Sequence, residues 1–148
     1  IVGWREWAYL PQLKVPNIKV KIDTGAKTSS LHAENLSFYH RAEVPYVRFE
    51  VRPDSKHPHK VFKCRAKVRG YRRVKSSNGM SEKRAVIRTR MVIGDIEKQI
   101  DVTLSNREEM GFRMLVGRSS LGEFLVNPAR SFLQGKIPKT RKTMEKNL

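Results

Sequence analysis

Cysteine, acidic residues and long apolar stretches are all scarce in this chain of 148 residues. The single cysteine, Cys64, excludes a disulfide within the chain and favours a reducing compartment, so we expect a cytoplasmic location. No stretch of about 18 apolar residues occurs, which excludes a transmembrane helix. The first residues also lack the apolar core of a signal peptide. We therefore expect a protein without a membrane partner.

Motifs for metal, nucleotide and nucleic-acid chemistry are missing as well. The sequence has no His-Glu-x-x-His pattern, no phosphate-binding glycine loop, and no zinc-finger, RNP or basic-zipper pattern. His57, His59 and Cys64 lie close together in sequence, but Cys64 falls on the apolar face of its predicted strand. We therefore predict no metal site and no cofactor. His32 and His40 are interpreted as ordinary surface or loop histidines.

Basic residues outnumber acidic ones by 31 to 14, which gives a net charge of +17. Such a field attracts anionic partners and raises the rate of their encounter. The basic residues are spread over the predicted strands and tails and are not gathered in one recognition helix. Charge by itself therefore indicates an anionic partner, either an acidic peptide or nucleic acid, and does not choose between them.

Most of the chain consists of short stretches in which apolar and polar residues alternate, a period that indicates half-buried β-strands. These stretches lie at 18–22, 47–51, 62–68, 85–93 and 96–104. Turn signals such as Gly94-Asp95 separate them. The spacing predicts an all-β fold that is either closed into a barrel or stacked as a sandwich.

Signals for helix are few. Capping-box patterns at Ser105 and Ser120 predict a single turn that stops at Gly111 and a short helix that runs through Leu125. From residue 135 onward the chain is basic and has few apolar residues. We therefore predict one domain over residues 1–134, with one or two short helices, followed by a basic arm over 135–148.

The basic segment at 69–79 predicts a projecting hairpin, because Asn78-Gly79 favours a tight turn. Arg73 and Lys75 lie on the approach to that turn. Two interpretations stay open. The segment is either a solvated surface hairpin or a flap that closes over a substrate and offers cations to it.

Asp23 is the strongest candidate for a catalytic group, because it follows a predicted strand and begins a tight Asp23-Thr24-Gly25 turn. An acid protease needs two carboxylates close enough to share one proton. No second Asp-Thr-Gly occurs in the chain. If Asp23 is catalytic, the second carboxylate comes from another copy of the chain across a two-fold axis, and the protein is a homodimer.

The Asp23-Thr24-Gly25-Ala26 turn, the basic hairpin, and the apolar-glycine segment at 114–118 resemble the retropepsin-type aspartic proteases. Residues 22–33, 75–79 and 106–121 are more closely similar to a bacterial, retropepsin-like family labelled ATP-dependent zinc protease. The similarity extends over nearly the whole chain. It implies a small closed retropepsin-like β-barrel with the strand at 114–117 packed beneath the Asp23 turn.

The resemblance also implies a role for each residue of the turn. Asp23 would be the catalytic acid, Thr24 would bond to its twin across the dimer, and Gly25 would donate its N–H to the carboxylate. Lys27 stands where many retropepsins carry an acid, and a cation there favours ionised carboxylates nearby. The resemblance further implies a partnership, found in some members of the family, with ATP-grasp ligases that add glutamates to a ribosomal protein.

Together, charge and resemblance predict an aspartic endopeptidase that acts on acidic or glutamate-extended protein segments. Arginine suits the recognition of glutamate side chains in such a substrate, because its guanidinium binds carboxylates through two hydrogen bonds. The predicted substrate-binding residues are Ala26, Lys27, Arg73, Lys75, Asn78, Gly79, Arg84, Arg88 and Arg118. A catalytically silent module that binds acidic segments is the alternative, and RNA binding is a third, less favoured function.

Overall fold

The regular structure consists almost entirely of β-strands. The computed structural model describes residues 1–54, 56–75, 79–105, 111–122 and 124–135. The strands within those residues are β1 (Val2–Gly3), β2 (Arg5–Leu10), β3 (Val15–Ile22), β4 (Ser29–His32), β5 (Glu34–Arg41), β6 (Val44–Val51), β7 (Phe62–Lys75), β8 (Ser81–Ile93), β9 (Ile96–Ser105), β10 (Met114–Val116) and β11 (Val126–Asn127).

Six strands close into a barrel in the order β2-β3-β10-β4-β9-β8, and the pairing of Tyr9 with Val92 joins β8 back to β2. This closure confirms the predicted all-β barrel. The alternating apolar residues of β3, β8 and β9 point into it, and Ile18, Val20 and Ile87 are completely buried there. Burial of these side chains from water is the main source of stability for such a fold.

The short strand β10 is inserted between two strands that are near each other in sequence. It runs parallel to β3, with Val116 opposite Ile22, and antiparallel to β4, with Leu115 opposite Ser30. The end of β3 and the start of β4 are therefore held apart by a strand from much later in the chain. The turn that joins them, residues 23–28, lies at the end of this three-strand arrangement.

Three further strands extend the sheet beyond the barrel. The long strand β8 pairs with β7, and β6 and β5 continue outward in that order. We call β5, β6 and β7 the extension sheet. Val47, Phe49 and Val68 on its inner face belong to the same apolar core as the barrel. Its β5 strand forms the outer edge.

The two ends of the described chain are tied together by a buried carboxylate. Glu6 is completely buried and accepts backbone N–H bonds from Gly3, Leu133 and Gln134, at 2.7 to 3.1 Å. A buried carboxylate needs such donors to replace its lost hydration. Beside it, β1 pairs in parallel with β11.

The helical segments differ from the predictions. The predicted helix from Ser120 through Leu125 is wrong, because the 3₁₀ helix there covers Arg118–Ser120 and Gly117 is its N-cap. A second 3₁₀ helix, Pro11–Leu13, was not predicted. The single turn predicted at 105–111 lies mostly outside the described residues, as does the basic arm after residue 135. In the described parts of the chain, no helix is long and apolar enough to cross a membrane.

Candidate active site

Asp23 lies directly after β3, and the backbone holds it on both sides. Its N–H donates to the carbonyl of Val116 at 2.9 Å, which continues the pairing of β3 with β10. Its own carbonyl accepts the N–H of Ala26 at 3.2 Å, which closes a tight turn. The N–H of Gly25 donates to Asp23 Oδ1 at 3.0 Å, which confirms the contact implied by the resemblance. The carboxylate is thus oriented by main-chain groups.

The segment after β10 packs against the Asp23 turn through its backbone. Arg118 and Ser119 donate their N–H groups to the carbonyls of Ala26 and Lys27, at 2.8 and 3.0 Å. A Cβ atom on Gly117 would lie 2.5 Å from the carbonyl oxygen of Thr28, so a side chain there would force the two segments apart. Glycine at this position is therefore a steric requirement of the site.

Two buried hydroxyl groups support this junction, and neither was predicted from the sequence. Ser29 Oγ accepts the N–H of Gly117 at 3.0 Å and lies 2.7 Å from Ser120 Oγ. Both serines are almost fully buried. Small polar residues beside the Asp23 turn were the only sequence signal for this pair, and their partners lie about ninety residues away in sequence.

The surface of the turn is open to solvent. Asp23 is half-buried, and Thr24, Gly25 and Lys27 are exposed. Arg118 is also exposed, and its Nη1 donates to the carbonyl of Thr24 at 3.4 Å, which brings a cation to the turn. Among the described residues, no hydrogen bond or ion pair connects Asp23 with a second carboxylate.

The predicted hairpin is present as the paired strands β7 and β8, with Lys75 opposite Ser81. Arg73 and Lys75 are exposed, and Arg73 Nη1 donates to Ser81 Oγ at 3.4 Å. Gly79 has a φ of +84°, a left-handed conformation that favours glycine. Asn78 lies outside the described residues. Closure of this hairpin over a substrate stays a prediction.

The remaining two candidate arginines are not in contact with the Asp23 turn. Arg84 borders an open groove of about 680 Å³ and donates to Glu82 at 3.3 Å. Arg88 projects from the outer side of β8 and pairs with Asp101 at 3.0 Å. The groove around Arg84 lies between β5 and the β7–β8 hairpin, and its other lining residues include Glu34, Leu36, Phe38, Tyr71 and Lys83.

The interpretation of His32 as a surface or loop histidine is wrong. His32 lies on β4 and is completely buried, whereas His40 is exposed as predicted. His32 Nε2 lies 3.2 Å from Glu34 Oε1, and Arg52 Nε donates to Glu34 Oε2 at 2.7 Å. The bond from Arg52 lowers the pKa of Glu34, and His32 acts in the same direction. The burial follows from strand pairing on both sides of β4, which the local sequence does not show.

A comparison with known protein families shows which family the chain belongs to. The model of the RimB-like family, described as the retropepsin-like aspartic endopeptidase RimB, matches residues 1–137. The chain belongs to this family. The retropepsin-like resemblance is therefore confirmed, and with it the β-barrel architecture.

Relatives of this RimB-like chain carry a different name. It is 43% identical over 136 residues to a protein of Shewanella pealeana named Probable alpha-L-glutamate ligase, and 41% identical over 140 residues to a protein of the same name from Desulfotalea psychrophila. These matches cover 91% and 94% of the chain but only 30% of each relative. The chain thus spans less than a third of those proteins.

A solved structure is similar over almost its whole length. This is a Legionella pneumophila protein of unknown function, with a TM-score of 0.74 and 29% sequence identity. The match covers 90% of this chain and 96% of that one. The RimB-like fold is therefore represented among crystal structures.

Nothing in the described residues supports the zinc label. His57 is hydrogen-bonded to Asp54 at 2.7 Å, and this bond lowers the pKa of Asp54. Cys64 is buried on β7, and burial raises the pKa of its thiol to about 12, so the thiolate that zinc prefers is disfavoured. No three histidine, cysteine, aspartate or glutamate residues in the described ranges are grouped so that they could hold a metal ion.

Proposed function

We propose that this chain is an aspartic endopeptidase whose active site is completed by a second copy of the chain. The observation that carries the proposal is Asp23, a carboxylate oriented by the N–H of Gly25 in a turn locked to β10. Thr24 and Gly25 are exposed beside it, so another copy has room to approach. Two such turns facing each other supply the pair of carboxylates that this chemistry requires.

The two Asp23 side chains share one proton, because two close carboxylates of like charge cannot both ionise. The ionised carboxylate takes a proton from water as that water attacks the carbonyl carbon of the peptide. The protonated one donates a hydrogen bond to the carbonyl oxygen, and a proton passes to the leaving nitrogen as the C–N bond breaks. The Gly25 N–H keeps Oδ1 oriented during these steps.

We propose acidic or glutamate-extended protein segments as the substrate. The net charge of +17 attracts them, and Lys27 and Arg118 place cations beside the Asp23 turn. Arg73 and Lys75 on the hairpin add further positive charge. The name of the relatives, alpha-L-glutamate ligase, supports this substrate and a partnership with an ATP-grasp ligase that adds the glutamates.

Substitution of Asp23 by asparagine tests the peptidase, since it keeps the shape and removes the ionisable acid. A protein with a run of glutamates at its C-terminus serves as substrate, and mass spectrometry measures the cleavage. We expect Asp23→Asn to lower the rate at least about a hundredfold, the typical contribution of acid–base catalysis. Asp95→Asn, an exposed acid in the β8–β9 turn, is the matched control and should cleave like the parent.

Two other outcomes would contradict the proposal. Equal cleavage by Asp23→Asn and the parent would show that Asp23 is not the catalytic acid. Absence of cleavage by any of the three proteins, together with equal binding of an oligoglutamate peptide, would favour the silent binding module.

A further inference from the structure

The outer face of the extension sheet carries a group of basic and aromatic side chains that the peptidase does not use. Residues directly opposite one another on paired strands project to the same side of a sheet. The register places Tyr39 opposite Tyr46, Arg48 opposite Arg65, and Tyr46 opposite Lys67. We call this the basic-aromatic face; its residues are Tyr39, Tyr46, Arg48, Lys63, Arg65 and Lys67.

The two tyrosines of this face are stacked. Their ring centroids lie 5.6 Å apart with an angle of 17° between the planes, and both side chains are half-buried. The guanidinium of Arg48 lies 4.5 Å from the centroid of Tyr39. Stacked rings flanked by a cation on the solvent side of a sheet form a platform on which further planar groups can stack.

The cations of this face are available to an external anion. Lys63, Arg65 and Lys67 are exposed, and among the described residues no carboxylate lies within ion-pair distance of them. The register places Glu50 opposite Lys63, but Glu50 already accepts a hydrogen bond from Asn35 at 2.8 Å. Alternate residues along a strand are about 7 Å apart, so these three cations form a line of positive charge along β7.

An acidic peptide would need only the cations, whereas single-stranded nucleic acid matches both features. Its phosphates pair with basic side chains, and its bases stack on aromatic rings and guanidinium planes. We propose that the basic-aromatic face binds single-stranded nucleic acid, with phosphates on Lys63, Arg65 and Lys67 and bases on the stacked tyrosines. This goes beyond the proposed peptidase activity.

The basic-aromatic face is separate from the Asp23 turn. It lies on β5, β6 and β7, outside the closed barrel, whereas Asp23 lies where β3 meets β10. Its inner side packs on the core through Val47 and Phe49. The proposed nucleic-acid face and the Asp23 turn are therefore built on different strands.

Fluorescence anisotropy with a 12-nucleotide oligouridylate tests this site in the full chain. The variant Tyr39→Leu with Tyr46→Leu keeps the charge and removes the rings, and we expect binding roughly tenfold weaker from the lost stacking. Arg65→Gln with Lys67→Gln should weaken binding by a similar factor and reduce the slope of log K against log salt by about 1.4, for two lost phosphate contacts.

Two controls keep the result specific. Lys14→Gln with Arg130→Gln removes the same charge from exposed positions outside this sheet and should change the affinity less than twofold. Tyr39→Phe with Tyr46→Phe keeps the stacked rings and should bind like the parent, which shows that binding needs the rings and not their hydroxyl groups. Equal urea midpoints for the leucine variant and the parent exclude damage to the fold as the cause of its weaker binding.

The proposal fails if the leucine variant binds the oligonucleotide as tightly as the parent. It also fails if the Arg65→Gln, Lys67→Gln variant and the control variant at Lys14 and Arg130 weaken binding equally. That result would show that the oligonucleotide is attracted by the net charge alone. Binding of a 12-residue oligoglutamate to this face in preference to the oligonucleotide would assign the face to acidic peptide and overturn the proposal.

Discussion

Asp23 is held by main-chain groups from two distant parts of the chain. The Gly25 N–H binds its side chain, and the Val116 carbonyl accepts its N–H. Neither contact depends on a neighbouring charged side chain. Orientation by rigid main-chain groups suits the proton transfers that we propose for Asp23, because a proposed catalytic group needs a fixed geometry.

The packing beside the Asp23 turn leaves no room for a side chain at Gly117. Substitution by alanine places a Cβ 2.5 Å from the carbonyl oxygen of Thr28, and this is backbone that cannot rotate away. We expect Gly117→Ala to lower the free energy of unfolding by about 1–3 kcal/mol, the usual cost of overpacking. Urea denaturation measures it.

Gly122→Ala is the matched control, because a Cβ there meets no atom within 4 Å. It should leave the urea midpoint nearly unchanged or raise it slightly. Equal midpoints for Gly117→Ala and the parent would show that the close packing of these two segments does not constrain the turn.

Single residues differ in how far local sequence predicts them. The Gly25 contact with Asp23 is formed within three residues, and it agrees with the prediction. The burial of Cys64 follows from the alternation of its strand. The burial of His32 and Ser29 could not be predicted, because it depends on pairing of β4 with β10 and β9.

At the scale of elements, periodicity predicted the strands that have one apolar face. The central strands β3, β6, β8 and β9 agree with the alternating stretches. The edge strand β5 was missed, because most of its residues are exposed and leave no apolar period. The prediction of a helix after Ser120 was wrong, because the Ser120 hydroxyl is hydrogen-bonded to the Ser29 hydroxyl and does not cap a helix.

The β7–β8 hairpin allows a prediction of its own. If it acts as a flap over an acidic substrate, Arg73→Gln with Lys75→Gln should raise KM for a glutamate-rich peptide several-fold and change kcat little, because uniform substrate binding is lost. Steady-state kinetics of peptide cleavage measure both constants. Lys56→Gln with Lys60→Gln removes two exposed charges elsewhere and is the control. An equal rise in KM for both pairs of substitutions would contradict a specific role of the hairpin, because it would show that only the net charge of the protein matters.

At the scale of the whole molecule, the proposed homodimer joins two copies that each carry a charge of +17. Like charges repel, and salt screens this repulsion over about 10 Å at 0.1 M. We expect the sedimentation velocity of the free protein to show twice the chain mass of 17.2 kDa, with a dimer fraction that increases as salt is added.

A mixing experiment extends the same test to activity. Excess Asp23→Asn chains should suppress the parent, because mixed dimers contain one ionisable Asp23, whereas excess Asp95→Asn should not. A strict monomer in the presence of substrate, with no suppression on mixing, would contradict the completion of the site by a second copy.

The sequence by itself determined the strand periods, the Asp23-Thr24-Gly25 turn and the positive charge, because each depends on residues near one another or on composition. Only the tertiary structure decided which segments meet. It placed β10 between β3 and β4, buried His32, joined Ser29 to Ser120 and collected the basic-aromatic face. The physical reason is that these contacts form between residues far apart in the chain, where closure of the barrel and burial of the common core select the register.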